Sequence, residues 1–329
     1  MTQKPPVGLL IGSHIPPADI GALASLAERC GFGEVWLTED LWFTSGVVAA
    51  GAALAATETI PVGLGIQSAV TRHPSIQALD FATLGQVYPG RFWPGIGLGL
   101  PTWLDQMGVR PPAPLRAVRE TVETIRALLA GETVSVEGSH VARKISLAHP
   151  LDPVPPLYIG AVGPKSVVQA GKIADGFIAS ALSGTAYVSW ARELLDEGAA
   201  AAGRTRSRVV TFALFNCDDD ARAARDAIRS TFAFYLSAMV GTELLTVYGI
   251  DAAVRELMAG GMDRLAAQMP EEWLEDLAIA GTPAECAGKI EDLRAAGSDS
   301  VILFPAPADQ GAELVERAGS AVFPLLATA

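Results

Sequence analysis

The feature that most constrains this chain is one pattern met eight times: a short apolar run rich in β-branched residues, then a stretch with helical spacing. Parallel strands require this, because each return to the next strand needs a long crossover, and a helix supplies it. "VGLLIG" (7–12) precedes a helix over about 17–30 that Gly31 ends, and "EVWLT" (34–38) precedes a small-residue helix over about 46–57. "PVGLGIQ" (61–67) leads to a helix from about 74, and "RFWPGIG" (91–97) to a long one over 114–130. In that last helix Leu115, Val118, Val122, Ile125, Leu128 and Leu129 fall on one face, which marks it as buried.

The alternation pauses at 132–147, where "ETVSVEGSHVARKISL" alternates around Glu137-Gly138 and predicts a β-hairpin. It resumes with "PLYIGA" (156–161) and a helix over 164–174, then "GFIAS" (176–180) and a helix over about 185–202, then "RVVTFALF" (208–215). From Cys217 the pattern is lost for some sixty residues of broken helical segments. "GTPAEC" (281–286) then restarts it, with Thr282 as N-cap, Pro283 at the first helical position and Glu285 completing a capping box. That helix ends at Gly297, before "SVILFP" (300–305) and a last helix to about 326. Eight β/α units that leave no free edge predict an α/β fold, a closed (β/α)8 barrel with a helical insertion over about 217–280 after strand seven. No Pro/Gly/Ser-rich linker divides residues 1–329, so they read as one domain.

Half of the 329 residues are hydrophobic and only 18% are charged, so the chain can bury a large core. A net charge of −12 argues against nucleic acid or an anionic membrane as a partner, since both need a basic face. Cys30, Cys217 and Cys286 lie far apart without C-x-x-C spacing, which speaks against a disulfide framework or a thiolate metal site and fits a reducing cytoplasm. Prolines in "MTQKPPVGLL" interrupt what a signal peptide would need, and "GVVAAGAALAA" (46–56) is too short to span a bilayer. No metal site and no targeting segment are expected.

In such barrels chemistry sits at the carboxyl ends of the strands. At 159–171, "IGAVGPKSVVQAG", Pro164 opens a helix whose Lys165 and Ser166 N–H groups can receive a phosphate, with Lys165 adding charge. The same residues also describe a plain helix start. Gly95, Gly97 and Gly99 alternate in "GIGLGLP" and either admit a flat ligand or serve barrel packing. Gly63 and Gly65 suggest a bulge in strand three, and Arg72 and His73 beyond it are a ligand clamp or a loop brace. Glu39 and Asp40 end strand two. Because the next helix starts only at Ser45-Gly46, a capping role is weakened; His14, past strand one, either hydrogen-bonds one of the acids or is an exposed loop residue.

Taken together, "AERCGFGEVWLTED", "TRHPSIQALDFATLGQVYPGRFWPGIGLG", "PLYIGAVGPKSVVQAGKIADGFIAS" and "AGTPAECAGKIEDLRAAGSDSVILFP" resemble, in order, the blocks of the bacterial luciferase-like oxidoreductases. The resemblance is to their coenzyme F420-dependent branch, which includes methylenetetrahydromethanopterin reductase. It implies a luciferase-like TIM barrel with the insertion placed as here, a deazaflavin or flavin across the strand ends, and a non-prolyl cis peptide at Gly65–Ile66. Gly65, Ile66, Gln67 and Ser68 would touch the ring, Leu98 and Gly99 its other side, and Ala161, Val162, Gly163, Pro164 and Lys165 the phosphate. Glu39 and Asp40 would flank the pyrimidine end. A homodimer is also implied.

The chain departs from the sugar-phosphate dehydrogenases of that branch, which carry Asp-His at the strand-two pair and a Glu after the strand-four glycines; here stand Glu39-Asp40 and Leu100. Glucose 6-phosphate is therefore not expected as substrate. Leu98, Leu100, Trp42, Phe43 and Trp103 suggest a mainly apolar pocket instead. The resulting expectation is an F420-dependent oxidoreductase, with hydride transfer between deazaflavin C5 and an apolar small organic molecule and with Glu39 foremost, then Asp40, as proton handlers and His14 as the third candidate catalytic residue. The alternatives are an FMN-dependent monooxygenase and a non-catalytic flavin-binding protein. Arg72 or Arg110 would offset the acidic surface near an anionic cofactor tail.

Overall fold

The structure, a computed structural model, describes residues 7–327. Residues 1–6, on which the expectation about targeting rests, lie outside the described residues. All eight expected strands form: β1 (Val7–Ile11), β2 (Glu34–Leu37), β3 (Val62–Ser68), β4 (Phe92–Gly97), β5 (Tyr158–Gly160), β6 (Gly176–Ala179), β7 (Arg208–Cys217) and β8 (Ser300–Pro305). Each runs parallel to both neighbours, and the ring closes where Val7 faces Val301 and where Gly176 faces Arg208. Val134–Glu137 and Val141–Ile145 form the expected antiparallel hairpin.

Three readings are corrected. Residues 217–280 are not wholly helical, since Ile279–Gly281 adds a short parallel strand beside the end of β7. A helix at Pro101–Met107 follows β4, in a stretch too short to show periodicity. The last helix is broken: Gly311–Arg317 gives way to wider and tighter turns at Ala318–Val322 and Phe323–Leu325, where Pro324 has no N–H for the ladder. Among the described residues no helix is long and apolar enough to cross a membrane.

Strand side chains alternate between two cores. Leu9, Ile11, Val35 and Leu37 point outward against the helices, whereas Leu10, Trp36, Ile178, Val210, Phe212, Ile302 and Phe304 fill the barrel. Trp36 sits edge-on to Tyr158 at 5.0 Å and to Phe212 at 5.9 Å. The inner core continues upward into Ile228, Phe232 and Leu236 of the insertion helix Ala221–Ala238, so the insertion roofs one side of the barrel mouth.

The amino end of the barrel is closed by a buried charge. Glu34 accepts from Trp36 Nε1 at 2.9 Å, from both guanidinium NH groups of Arg208 at 3.1 and 2.6 Å, and from the Ser300 hydroxyl. Arg208 also donates to Tyr158 Oη at 3.0 Å and stacks on Trp93.

A second carboxylate staples the turn before β3. Glu28 accepts from the N–H groups of Glu58, Thr59 and Ile60 and from the Thr59 hydroxyl, all within 2.9 Å. Burial opposes the charge, but these bonds outweigh it and hold the pKa at about 2, against an ordinary value of 4.5. A depressed folded-state pKa gives stability that is complete above the unfolded value and is lost as pH falls toward about 2. The melting-temperature gap between wild type and Glu28→Gln is therefore expected to hold steady above about pH 5 and to shrink between about 4.5 and 2, followed by calorimetry.

Candidate functional site

The site is built around a break in β3. Its register against β4 slips between Leu64 and Gln67, and the Gly65–Ile66 peptide within the slip is cis, as the resemblance implied. Two glycines make the break fit. A Cβ on Gly95 would lie 2.2 Å from Leu64 O, and one on Gly160 would lie 2.7 Å from Ile66 Cγ2. Gly95 therefore serves packing of the bulge and does not admit a ligand, and Gly97 likewise faces Gly160 O and Ile66. Gly99, with φ +91°, turns the chain out of β4.

Of the four bulge residues, Gly65 and Ile66 are partly exposed at the strand ends. Ser68 donates to Leu98 O at 2.7 Å and ties the β4 loop to the bulge. Gln67 differs from the expectation: its side chain is fully buried and accepts from Gln77 Nε2 at 3.0 Å, on the helix side of the sheet. Strand alternation puts it there, so only its backbone can reach a ring.

At the end of β2 the two acids separate in role. The side chain of Glu39 is only 5% exposed, and its carboxylate accepts from Gly46 N at 2.9 Å and pairs with Arg72 at 3.1 Å. The capping role that the sequence spacing weakened is the one it performs: the chain loops back so that a residue seven positions upstream meets the N-terminus of helix Gly46–Ala55. Arg72 is accordingly committed to Glu39 and does not stand free for an anionic tail, whereas Arg110 pairs with Asp105 at 2.9 Å only in a solvent-exposed bridge. His73 is a brace. Its ring accepts from Ser75 N to cap the helix Pro74–Val87, and its other nitrogen lies 3.0 Å from Val141 O of the hairpin.

Asp40 is half-buried and accepts from the Ser13 hydroxyl. His14 was expected as its partner, but the His14 ring folds across Gly12 against Phe304 at 5.3 Å and makes no hydrogen bond with either acid. Crowding lowers the His14 pKa and the Asp40 charge opposes that. Facing this pair is Tyr235 of the insertion helix, packed edge-on against Phe304, its hydroxyl pKa raised by burial and by Asp40. Beside the acids opens a cleft of about 290 Å³ whose lining includes Trp42, Phe43 and Met107. Trp42 is 66% exposed, with its indole bonded to Gln106 at 3.1 Å and its backbone at φ +75°, a conformation that costs energy for a bulky side chain. Leu98, Leu100 and Trp103 are half-buried in the loop after β4.

After β5, Ala161 and Val162 lead to Gly163, the N-cap of helix Pro164–Ile173, which has no side-chain cap. Pro164 has no N–H, and Ser166 N bonds back to Gly163 O at 3.1 Å. Of the two donors expected for a phosphate, the Lys165 N–H is the one left, with the exposed Lys165 ammonium beside it. Tyr187 shapes this seat by donating to Val162 O at 2.9 Å. The seat and the bulge together suit a flat ring carrying a phosphate.

Sequence reasoning missed Ser13, Tyr235, Tyr187 and Glu243, the last of which lies by Gly163. Each acts through a partner distant in the chain, so no local spacing marked it. Among the described residues no cluster of three or more His, Cys, Asp or Glu side chains is placed to hold a metal.

Residues 3–300 match the family model of the luciferase-like monooxygenases. The chain is similar to a 5,10-methylenetetrahydromethanopterin reductase of Methanopyrus kandleri, 30% identical over 94% of this chain and 95% of that protein. It is also similar to an F420-dependent glucose-6-phosphate dehydrogenase of Beutenbergia cavernae, 31% identical over 94% of each. The solved coenzyme F420-dependent tetrahydromethanopterin reductase from Methanopyrus kandleri superposes with a TM-score of 0.87 at 28% identity, over 98% of this chain and 99% of that one.

Proposed function

The chain belongs to the luciferase-like monooxygenase family, and on that premise we propose that it is a coenzyme F420-dependent oxidoreductase acting on a mainly apolar small organic molecule. The observation that carries this reading is the pairing of the β3 bulge with the uncapped helix start at Gly163–Pro164, in a chain about 30% identical over nearly its whole length to F420 enzymes. Bound F420 supplies two-electron hydride chemistry, and the protein supplies orientation and a proton path. Gly65, Ile66 and Ser68 at the bulge, with Leu98 and Gly99 in the loop after β4, would hold the ring. The backbone of 161–165 and the Lys165 ammonium would hold the phosphate.

Proton handling falls to Asp40. Glu39 has both its cap and its ion pair to keep, whereas Asp40 has one hydroxyl donor and stands at the rim beside Tyr235 and His14. Glu39 holds the loop that presents it. Trp42, Phe43 and Leu100 support an apolar substrate, and turnover of glucose 6-phosphate would overturn that part of the reading.

The deciding experiment is titration of the purified protein with F420 and with FMN, followed by deazaflavin and flavin fluorescence. F420 is expected to bind saturably and to be reduced or oxidised when a substrate from a ketone and alcohol panel is added. Binding of FMN without F420 would favour the FMN monooxygenase reading. Tight retention of either cofactor without substrate-linked redox change would favour a non-catalytic binding protein.

The chain is read as one domain that works in the cytoplasm as a homodimer. Support for the dimer comes from Val48, Ile76, Leu79 and Val87, which are 72, 49, 50 and 60% exposed on two adjoining helices. Leu79→Glu is expected to yield a monomer in sedimentation velocity where the wild type is a dimer.

A further inference from the structure

The turn after β2 puts a tryptophan where the backbone favours glycine. Phe43 N donates to Asp40 O at 3.1 Å, which closes a four-residue turn over Asp40, Leu41, Trp42 and Phe43, and the third of these, Trp42, sits at φ +75°. Glycine or asparagine ordinarily fills that place, because a Cβ is crowded there. Packing in the free protein does little to offset the cost: the Trp42 side chain is mostly exposed, as is Phe43 beside it, and Met107 at the end of the helix after β4 is exposed as well. Yet the indole is not loose. Its Nε1 donates to Gln106 Oε1 at 3.1 Å, 64 positions on, so the ring is held against rotation at the wall of a cleft of about 290 Å³ that Asp40 also lines.

We propose that Trp42 is a stacking platform, and that the substrate carries a flat aromatic ring system laid against it with its polar substituent turned toward Asp40. This rests on the reading of the site given above and adds the chemical class of the substrate to it. The cleft wall offers two aromatic rings, Trp42 and Phe43, and the thioether of Met107. Each of these groups gains more from a flat ring than from a saturated one, beyond what buried area gives to either. The Gln106 bond has already fixed the indole, so contact costs little further side-chain entropy. A cleft of this volume is at the lower end of small-ligand sites, which limits the occupant to one or two rings. The turn itself sets the register: Asp40 is its first residue and Trp42 its third, so the acid and the platform are held in one unit. A strained backbone kept under an exposed ring fits a residue retained for binding rather than for stability.

The test is Trp42→Gly, which installs the residue that the turn favours. Dissociation constants are measured by calorimetry for naphthylethanol and for its fully saturated decalin analogue, with and without saturating F420. Wild type is expected to bind the naphthyl alcohol about two- to tenfold more tightly than the saturated one. The variant is expected to bind both alike, with a melting temperature no lower than that of wild type. Equal binding of the two alcohols by wild type, binding of neither, or a preference that survives in the variant overturns the proposal. So does a lowered melting temperature, which would show that Trp42 is kept for stability. A variant that sediments as a smaller species than wild type also overturns it, since the exposed rings would then be an interface between copies of the chain. Measurement without cofactor keeps this test apart from the F420 reading: if F420 does not bind while the naphthyl preference is present in wild type and lost in the variant, only that reading falls.

Discussion

Asp40→Asn is expected to slow hydride transfer by about a hundred- to ten-thousand-fold, the range for losing a positioned acid or base, while cofactor affinity stays within a few fold. Asparagine keeps the size and still accepts from Ser13, but it neither takes nor gives a proton at the working pH. Glu39→Gln is expected to behave differently. Gln retains a carbonyl for the Gly46 N–H but loses the Arg72 pair, so the protein loses about 1–2 kcal/mol of stability and the rate falls far less. Single-turnover absorbance of bound F420 separates the two, read beside a cofactor titration. A Glu39→Gln variant that is stable and inactive, alongside an active Asp40→Asn, would return the proton role to Glu39.

Glu34→Ala is expected to cost about 3–5 kcal/mol, because it leaves Arg208 charged beneath an aromatic floor without its counter-ion. Glu34 and Tyr158 raise the Arg208 pKa against the opposing effect of burial in the wild type, and in the variant the guanidinium still stays protonated, because its intrinsic basicity is too high for it to escape the penalty as a neutral group. Urea unfolding gives the measure, as a lowered midpoint with an unchanged slope. The double variant Glu34→Leu/Arg208→Met is expected to recover most of the loss, since an apolar pair of similar volume avoids burying either charge. A double variant no more stable than Glu34→Ala would show that the bonds to Trp36, Ser300 and Tyr158 matter more than the charge pair.

The parts of the fold that sequence revealed share one property: their cause is local. The eight strands come within one or two residues of expectation at most ends, because apolar runs and their bounding turns lie in the same ten residues. The capping box is the cleanest case. Thr282 accepts from Glu285 N while Glu285 accepts from Thr282 N, as the four-residue spacing required. The cis bond at Gly65–Ile66 and the helix start at Gly163–Pro164 were legible by resemblance rather than by pattern. Cys217 and Cys286 show the opposite limit. Sixty-nine positions apart, they meet at the end of β7, where Cys286 Sγ donates to Asn216 O at 3.6 Å and where Cys286 and Arg317 together draw the Cys217 thiol below its ordinary pKa.

Sequence alone determined the closed barrel and the place of the insertion, and it singled out the two strand ends proposed to take a ring and a phosphate. Tertiary structure decided which side chains are free to act there. Glu39 and Asp40 are adjacent and chemically alike, yet a loop brings Gly46 and Arg72 to the first and a single hydroxyl to the second. Tyr235 and Glu243 reach the mouth only because the insertion folds back over it. Periodicity records which face of an element is buried, whereas the commitment of a carboxylate depends on donors brought from elsewhere in the chain, and only closure of the barrel brings them.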